Sequence, residues 1–215
     1  MKHLSKILLA VVALFAYSCV TDTTEDLGIK ISGDQTEITL SLEESRTHLG
    51  EAAEGVYPLY WSEGDKIAIN GIASTALTAE QAGSPSTQFT FANGELSYPY
   101  NIVYPAPTTK LDITLGDVRA EGVQRVTFLA EQPYTVGSFA EGAAPMYGYA
   151  AEANNDAIQM HHLAGVLRFA VKGNGEAVTS ITVKALGGKI AGDFNVNCTT
   201  GELTAQDSAS DTVTV

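Results

Sequence analysis

An all-β fold, a β-sandwich of antiparallel strands, is what this 215-residue sequence predicts. Three observations carry it. From Glu37 onward apolar side chains recur at every second position rather than with the 3.6-residue period of a helix. The apolar runs are short, rich in β-branched and aromatic residues, and separated by Gly, Pro, Asn and Asp. No helical pattern of any length competes with them, and many short strands at close spacing suit a sandwich better than an alternating α/β fold. At 45% hydrophobic and 17% charged residues the chain is apolar enough to close a core. Its net charge of -13, with Lys+Arg 12 against Asp+Glu 25, opposes nucleic acid as a partner, because phosphate contacts need a basic face.

The first element is an address. Lys2, His3 and Lys6 precede an uninterrupted apolar run over residues 7–17, which ends in small residues before Cys19. That pattern predicts an export signal over residues 1–18. Elsewhere no stretch approaches the roughly 20 apolar residues that a membrane-crossing helix needs. Leu14-Phe15-Ala16-Tyr17-Ser18-Cys19 resembles a lipobox, in which the chain is cut before a cysteine whose sulfur is then acylated, although Ala16 stands where Leu is usual. The alternative is an ordinary secretory cut near Ser18 that leaves Cys19 a thiol. With acylation, each buried methylene contributes about 0.8 kcal/mol, so two or more chains hold the protein stably on a membrane. Losing residues 1–18 removes Lys2 and Lys6 and no acid, so the mature chain is more acidic still.

Residues 19–36 are expected to be an acidic, flexible tether, since Val20-Thr21-Asp22-Thr23-Thr24-Glu25-Asp26 has no hydrophobic periodicity. Their acidity resembles the signal that sends some lipoproteins of anaerobic Gram-negative bacteria to the outer face of the outer membrane; a solvated linker reads the same way. Residues 37–205 are expected to be one β-sandwich domain. Ile38-Thr39-Leu40-Ser41-Leu42 alternates strictly and places Ile38, Leu40 and Leu42 on one inner face. Further strands are expected over 57–61, 66–72, 87–92, 100–104, 111–115, 124–129, 146–151, 163–172, 179–185 and 191–196. Asn93-Gly94 predicts a tight hairpin after Gln88-Phe89-Thr90-Phe91, because both central positions of a type I′ turn need positive φ. The run at 163–172 is the most apolar after the signal and predicts a central strand buried on both faces. Residues 206–215 read as a linker and the start of a further, missing domain.

Three segments in order carry a family resemblance: Glu44-Ser45-Arg46-Thr47, then Trp61-Ser62-Glu63-Gly64-Asp65-Lys66-Ile67, then His161-His162-Leu163-Ala164-Gly165-Val166-Leu167-Arg168-Phe169 followed by Ile181-Thr182-Val183 and Gly192-Asp193-Phe194-Asn195-Val196. Together they resemble the N-terminal domain of the fimbrillin family, lipoprotein precursors of type V pilus subunits in anaerobic Gram-negative bacteria. The resemblance spans roughly residues 38–203. It implies a transthyretin-like β-sandwich and an outer-membrane, cell-surface location in a fimbrium, with cell adhesion as the role. It also implies cutting by a trypsin-like protease after a basic residue beyond the first strand, and polymerisation by donor-strand exchange with other fimbrial subunits. Carried onto this chain, Ile38, Leu40 and Leu42 belong to the strand to be displaced. Arg46 is the only Lys or Arg between Lys30 and Lys66, so Arg46 and Thr47 flank the natural scissile bond. Stalk, anchor and tip roles all occur in the family, and an anchor would keep its first strand.

The physics of such an exchange needs no family. Taking away an edge strand exposes unpaired backbone N–H and C=O groups and an apolar groove, which another extended segment can refill. The rival function is a surface glycan-binding lipoprotein, with a host or glycan ligand stacked on Trp61 and exposed tyrosines. Against that, a lone Trp before the turn-forming Ser62-Glu63-Gly64-Asp65 is expected in the core. His161 and His162, adjacent on a strand, point to opposite faces and are not expected to share a metal ion. The scatter of the tyrosines suits rim and turn packing, and Cys198 is expected to pack rather than react. The sequence carries no nucleophile elbow, phosphate-binding Gly-rich loop, His-Glu-x-x-His or calcium loop, so neither an enzyme nor a cofactor or metal is expected.

Overall fold

In the computed structural model, the described residues are 29–32, 35–42, 59–92, 96–107, 122–153, 156–173, 175 and 177–215. They form an all-β structure. Its strands are β1 (Ile29–Ser32), β2 (Gln35–Leu42), β3 (Ala68–Ile69), β4 (Ile72–Ala73), β5 (Ser86–Ala92), β6 (Tyr100–Tyr104), β7 (Val123–Phe128), β8 (Met146–Ala150), β9 (Ile158–His162), β10 (Thr182–Lys184), β11 (Gly192–Asn197), β12 (Leu203–Ala205) and β13 (Thr212–Thr214).

Eight strands join in one sheet, in the order β1-β2-β9-β8-β6-β3-β4 with β5 also paired to β2. β7, β11 and β12 make a second sheet, and β10 with β13 a third. Alternation decides which side chains go inward. Ile38 and Leu40 of β2, Phe89 and Phe91 of β5, Ile102 and Tyr104 of β6, and Met146, Ile158 and Met160 of β8 and β9 meet in one buried cluster. β6 is buried on both faces, and its Val103 belongs to a second cluster with Val126, Phe128, Phe194, Val196 and Cys198. That second cluster glues the β7-β11-β12 sheet onto the outer face of the large one, the layering of a sandwich.

Several elements differ from expectation. The stretch 66–72 is not one strand: Asn70 (φ 50) and Gly71 (φ 81) turn the chain between β3 and β4, which is the same Asn-Gly signal that predicted a hairpin at Asn93-Gly94. Asn93-Gly94 itself, the expected strand at 111–115 and residues 57–58 lie outside the described residues. Within the expected tether 19–36, β1 pairs with β2 through Ile29↔Ile38 to Ser32↔Gln35. Residues 206–215, expected as a linker and the start of a further domain, are tied into this fold: β13 pairs with β10, and Ser210 bridges Ala191. The largest departure is 163–172. No strand forms there, and Leu167, Phe169 and Val171 are 69%, 51% and 57% exposed.

Candidate functional site

β2 is the element on which the sequence places function, and its neighbours explain its burial. Ile38 and Leu40 are 0% exposed and Leu42 is 9% exposed. β5 runs antiparallel beside β2 from Gln35↔Ala92 to Ser41↔Ser86, with Ile38 directly opposite Phe89. On the other side β1 covers the first half of β2, and β9 continues in parallel with Leu40↔Ile158, Ser41↔Gln159 and Leu42↔Met160. The Ser41 hydroxyl donates to Gln159 Oε1 at 3.3 Å, and the Leu42 N–H donates to the Pro85 carbonyl at 2.9 Å. β2 is therefore an interior strand with partners on both sides, where an edge strand was expected. The hairpin mate β1 and the parallel β9 share one side of it end to end, a sharing that alternation within β2 does not reveal.

The other predicted site residues divide plainly. Cys19, Arg46 and Thr47 lie outside the described residues. In sequence, Arg46 follows the last residue of β2 by four positions. Trp61 is in the core, 1% exposed, with edge-to-face contacts to Phe89 (4.9 Å) and Tyr104 (5.5 Å). It offers no surface for stacking. His161 and His162 close β9, both partly buried, and the His161 ring centroid lies 5.4 Å from that of Tyr147. Among the described residues no three His, Cys, Asp or Glu side chains come together as metal ligands. The tyrosines scatter: Tyr134 is 78% exposed, whereas Tyr98 and Tyr100 stack with ring centroids 3.9 Å apart. Cys198 is fully buried; burial pushes its thiol up to about 12, and its Sγ lies 3.7 Å from the Ile102 carbonyl.

Two features escaped the sequence. The first is Asp65, read there as a turn residue. It is 2% exposed, and its carboxylate accepts hydrogen bonds from the Ser62 N–H and the Tyr104 hydroxyl, both at 2.7 Å. Burial raises its pKa to about 6 against the lowering effect of those two donors, and nearby Glu141 raises it further. The pair borders a cavity of about 160 Å3 that Thr135, Ser138 and Glu141 also line. The clue was the spacing of Ser62 and Asp65, in which an acid three residues after a serine closes a turn through its side chain. The second is an open apolar groove of about 460 Å3 between residues 163–169 and β10, with Phe128, Val183, Ile190 and Phe194 among its walls. Its lining is mostly apolar, with Lys189 and Gln132 among the few polar side chains that border it.

No protein-family model, curated protein or solved structure matches this chain.

Proposed function

We propose that this chain is a surface fimbrial subunit or adhesin component, exported as a lipoprotein and assembled by proteolysis-triggered donor-strand exchange. One observation supports the reading above others. The strand holding the fully buried Ile38 and Leu40 is followed four residues after its end by Arg46, with no other Lys or Arg until Lys66. A cut after Arg46 separates β2 covalently from the rest of the fold, and β1 with it, leaving noncovalent contacts as its only hold. At about 1 kcal/mol net per ladder hydrogen bond and about 1.5–3 kcal/mol per buried aliphatic side chain, a strand refilling that groove contributes on the order of 10 kcal/mol before association entropy. That suffices for a durable polymer. A transthyretin-like topology and a trypsin-like processing protease belong to the same proposal.

Limited trypsin digestion of the unlipidated mature protein tests it, read by intact mass and size-exclusion chromatography. Cleavage after Arg46, growth of oligomers and uptake of a labelled peptide of residues 35–46 by the cleaved protein are expected, with all three lost in Arg46→Gln. A cleaved protein that stays monomeric and takes up no peptide overturns the exchange mechanism.

A further inference from the structure

The groove beside β10 has an unused edge. Ile181 exchanges backbone hydrogen bonds with Val215, and the Ala185 N–H donates to the Asp211 carbonyl at 2.8 Å. In an antiparallel ladder these groups alternate sides, so the N–H and C=O of Thr182 and Lys184 face away from β13. Among the described residues no strand takes them up. Val183 and Ala185 form one wall of the groove, and Gly165, Leu167 and Phe169 border the same space.

The sequence of that second wall is a strand waiting for a partner. Leu167-Arg168-Phe169-Ala170-Val171-Lys172 alternates apolar with polar or small, the pattern of a half-buried strand. Gly173-Asn174-Gly175 follows, and Gly175 has φ 92. A left-handed residue at the last position is what a three-residue hairpin loop requires.

We propose that residues 165–172 act as a strap that zips antiparallel onto the free edge of β10 and closes the groove. Counting from Gly173-Asn174-Gly175 as the connecting residues in the sequence, the register of the closed strap is Val171↔Ala177, Phe169↔Thr179, Leu167↔Ile181 and Gly165↔Val183. Val166 then falls opposite Thr182 and takes up its free N–H and C=O. Leu167, Phe169 and Val171 fall on the face of Ile181 and Val183, which is the groove side, while Arg168 and Lys172 turn outward. A one-residue slip turns those apolar side chains away from the groove. The occupant of the groove is thus the chain's own segment, and the strap is independent of the fate of β2. An open strap leaves the β10 edge available to another strand, so the device gates a second edge of the fold.

The test uses the mature chain with Cys19→Ser, in which buried Cys198 does not compete. Leu167→Cys with Ile181→Cys joins a non-hydrogen-bonded pair, whose Cα separation of about 4.5 Å fits a disulfide. An intrachain disulfide forming about tenfold faster than in the off-register control Leu167→Cys with Thr182→Cys is expected. In the unsubstituted protein, hydrogen exchange at the amides of Val166, Arg168 and Ala170 is expected to slow by about tenfold or more relative to an unstructured segment. Equal oxidation of the two pairs, disulfide-linked dimers in place of intrachain links, or unprotected amides at all three positions would overturn the strap.

Discussion

Two alternating apolar stretches of this chain meet opposite fates. On β2, Ile38 and Leu40 are fully buried, whereas Leu167 and Phe169 are 69% and 51% exposed. Side-chain chemistry does not separate them, since both present a large apolar group at every second position. Partners do. β2 has β5 along one side and β1 followed by β9 along the other, while residues 165–172 have no ladder at all. An alternating segment is buried by the edges that neighbouring strands offer it, and its own pattern decides only which face goes inward.

The comparison breaks first at β2. Leu40→Ala removes a fully buried side chain flanked by β5 and β9, and a loss of about 2–5 kcal/mol in urea-unfolding free energy is expected. A loss under about 1 kcal/mol would mean that β2 is held as loosely as the 165–172 stretch. Next comes the buried carboxylate beside the same core. The folded-state pKa of Asp65 is raised to about 6 from an ordinary 3.8. Its contribution is therefore fully present below about pH 4 and is lost as pH rises through about 6, at most about 3 kcal/mol in all. Asp65→Asn removes that slope, so the wild type is expected to gain stability relative to the variant on going from pH 7 to pH 4, read by thermal melts across the range. A flat difference would place Asp65 in a water-exposed turn.

The smallest effect lies on the open face. Leu167→Ala is expected to cost about 1 kcal/mol, because tenfold protection of the strap amides puts closure at about 1.4 kcal/mol and one groove side chain can remove no more than that. A loss under about 0.3 kcal/mol, measured in the same urea titration, would mean that the strap stays open.

The sequence was most legible where a residue's own chemistry settles its place. Strict alternation put Ile38, Leu40 and Leu42 inward, and the size and apolarity of Trp61 sent it to the core. β5, β6, β7, β8 and β11 fall within a residue or two of the runs that predicted them. What stayed hidden was pairing. β9 has only Ile158 and Met160 as inward apolar residues, too short a pattern to stand out, and its parallel register on β2 has no local signal. The turn at Asn70-Gly71 was available in the sequence but was masked by the apolar residues on both sides of it. The burial of Asp65 was hidden for another reason: its spacing from Ser62 shows a turn, but a buried acid looks like a surface acid until the hydroxyl of Tyr104, far along the chain, is seen to reach it.

The parallel pairing of β2 with β9 also sets an order in time. Ser41 meets Gln159, 118 residues further along the chain. At a synthesis rate of roughly 5–20 residues per second, β2 leaves the ribosome several seconds before its parallel partner exists. One of the earliest strands made is thus among the last to be fully paired, and such long-range closure is the slow kind. Until then Ile38, Leu40 and Leu42 stay within reach of any factor that binds apolar segments of a nascent chain.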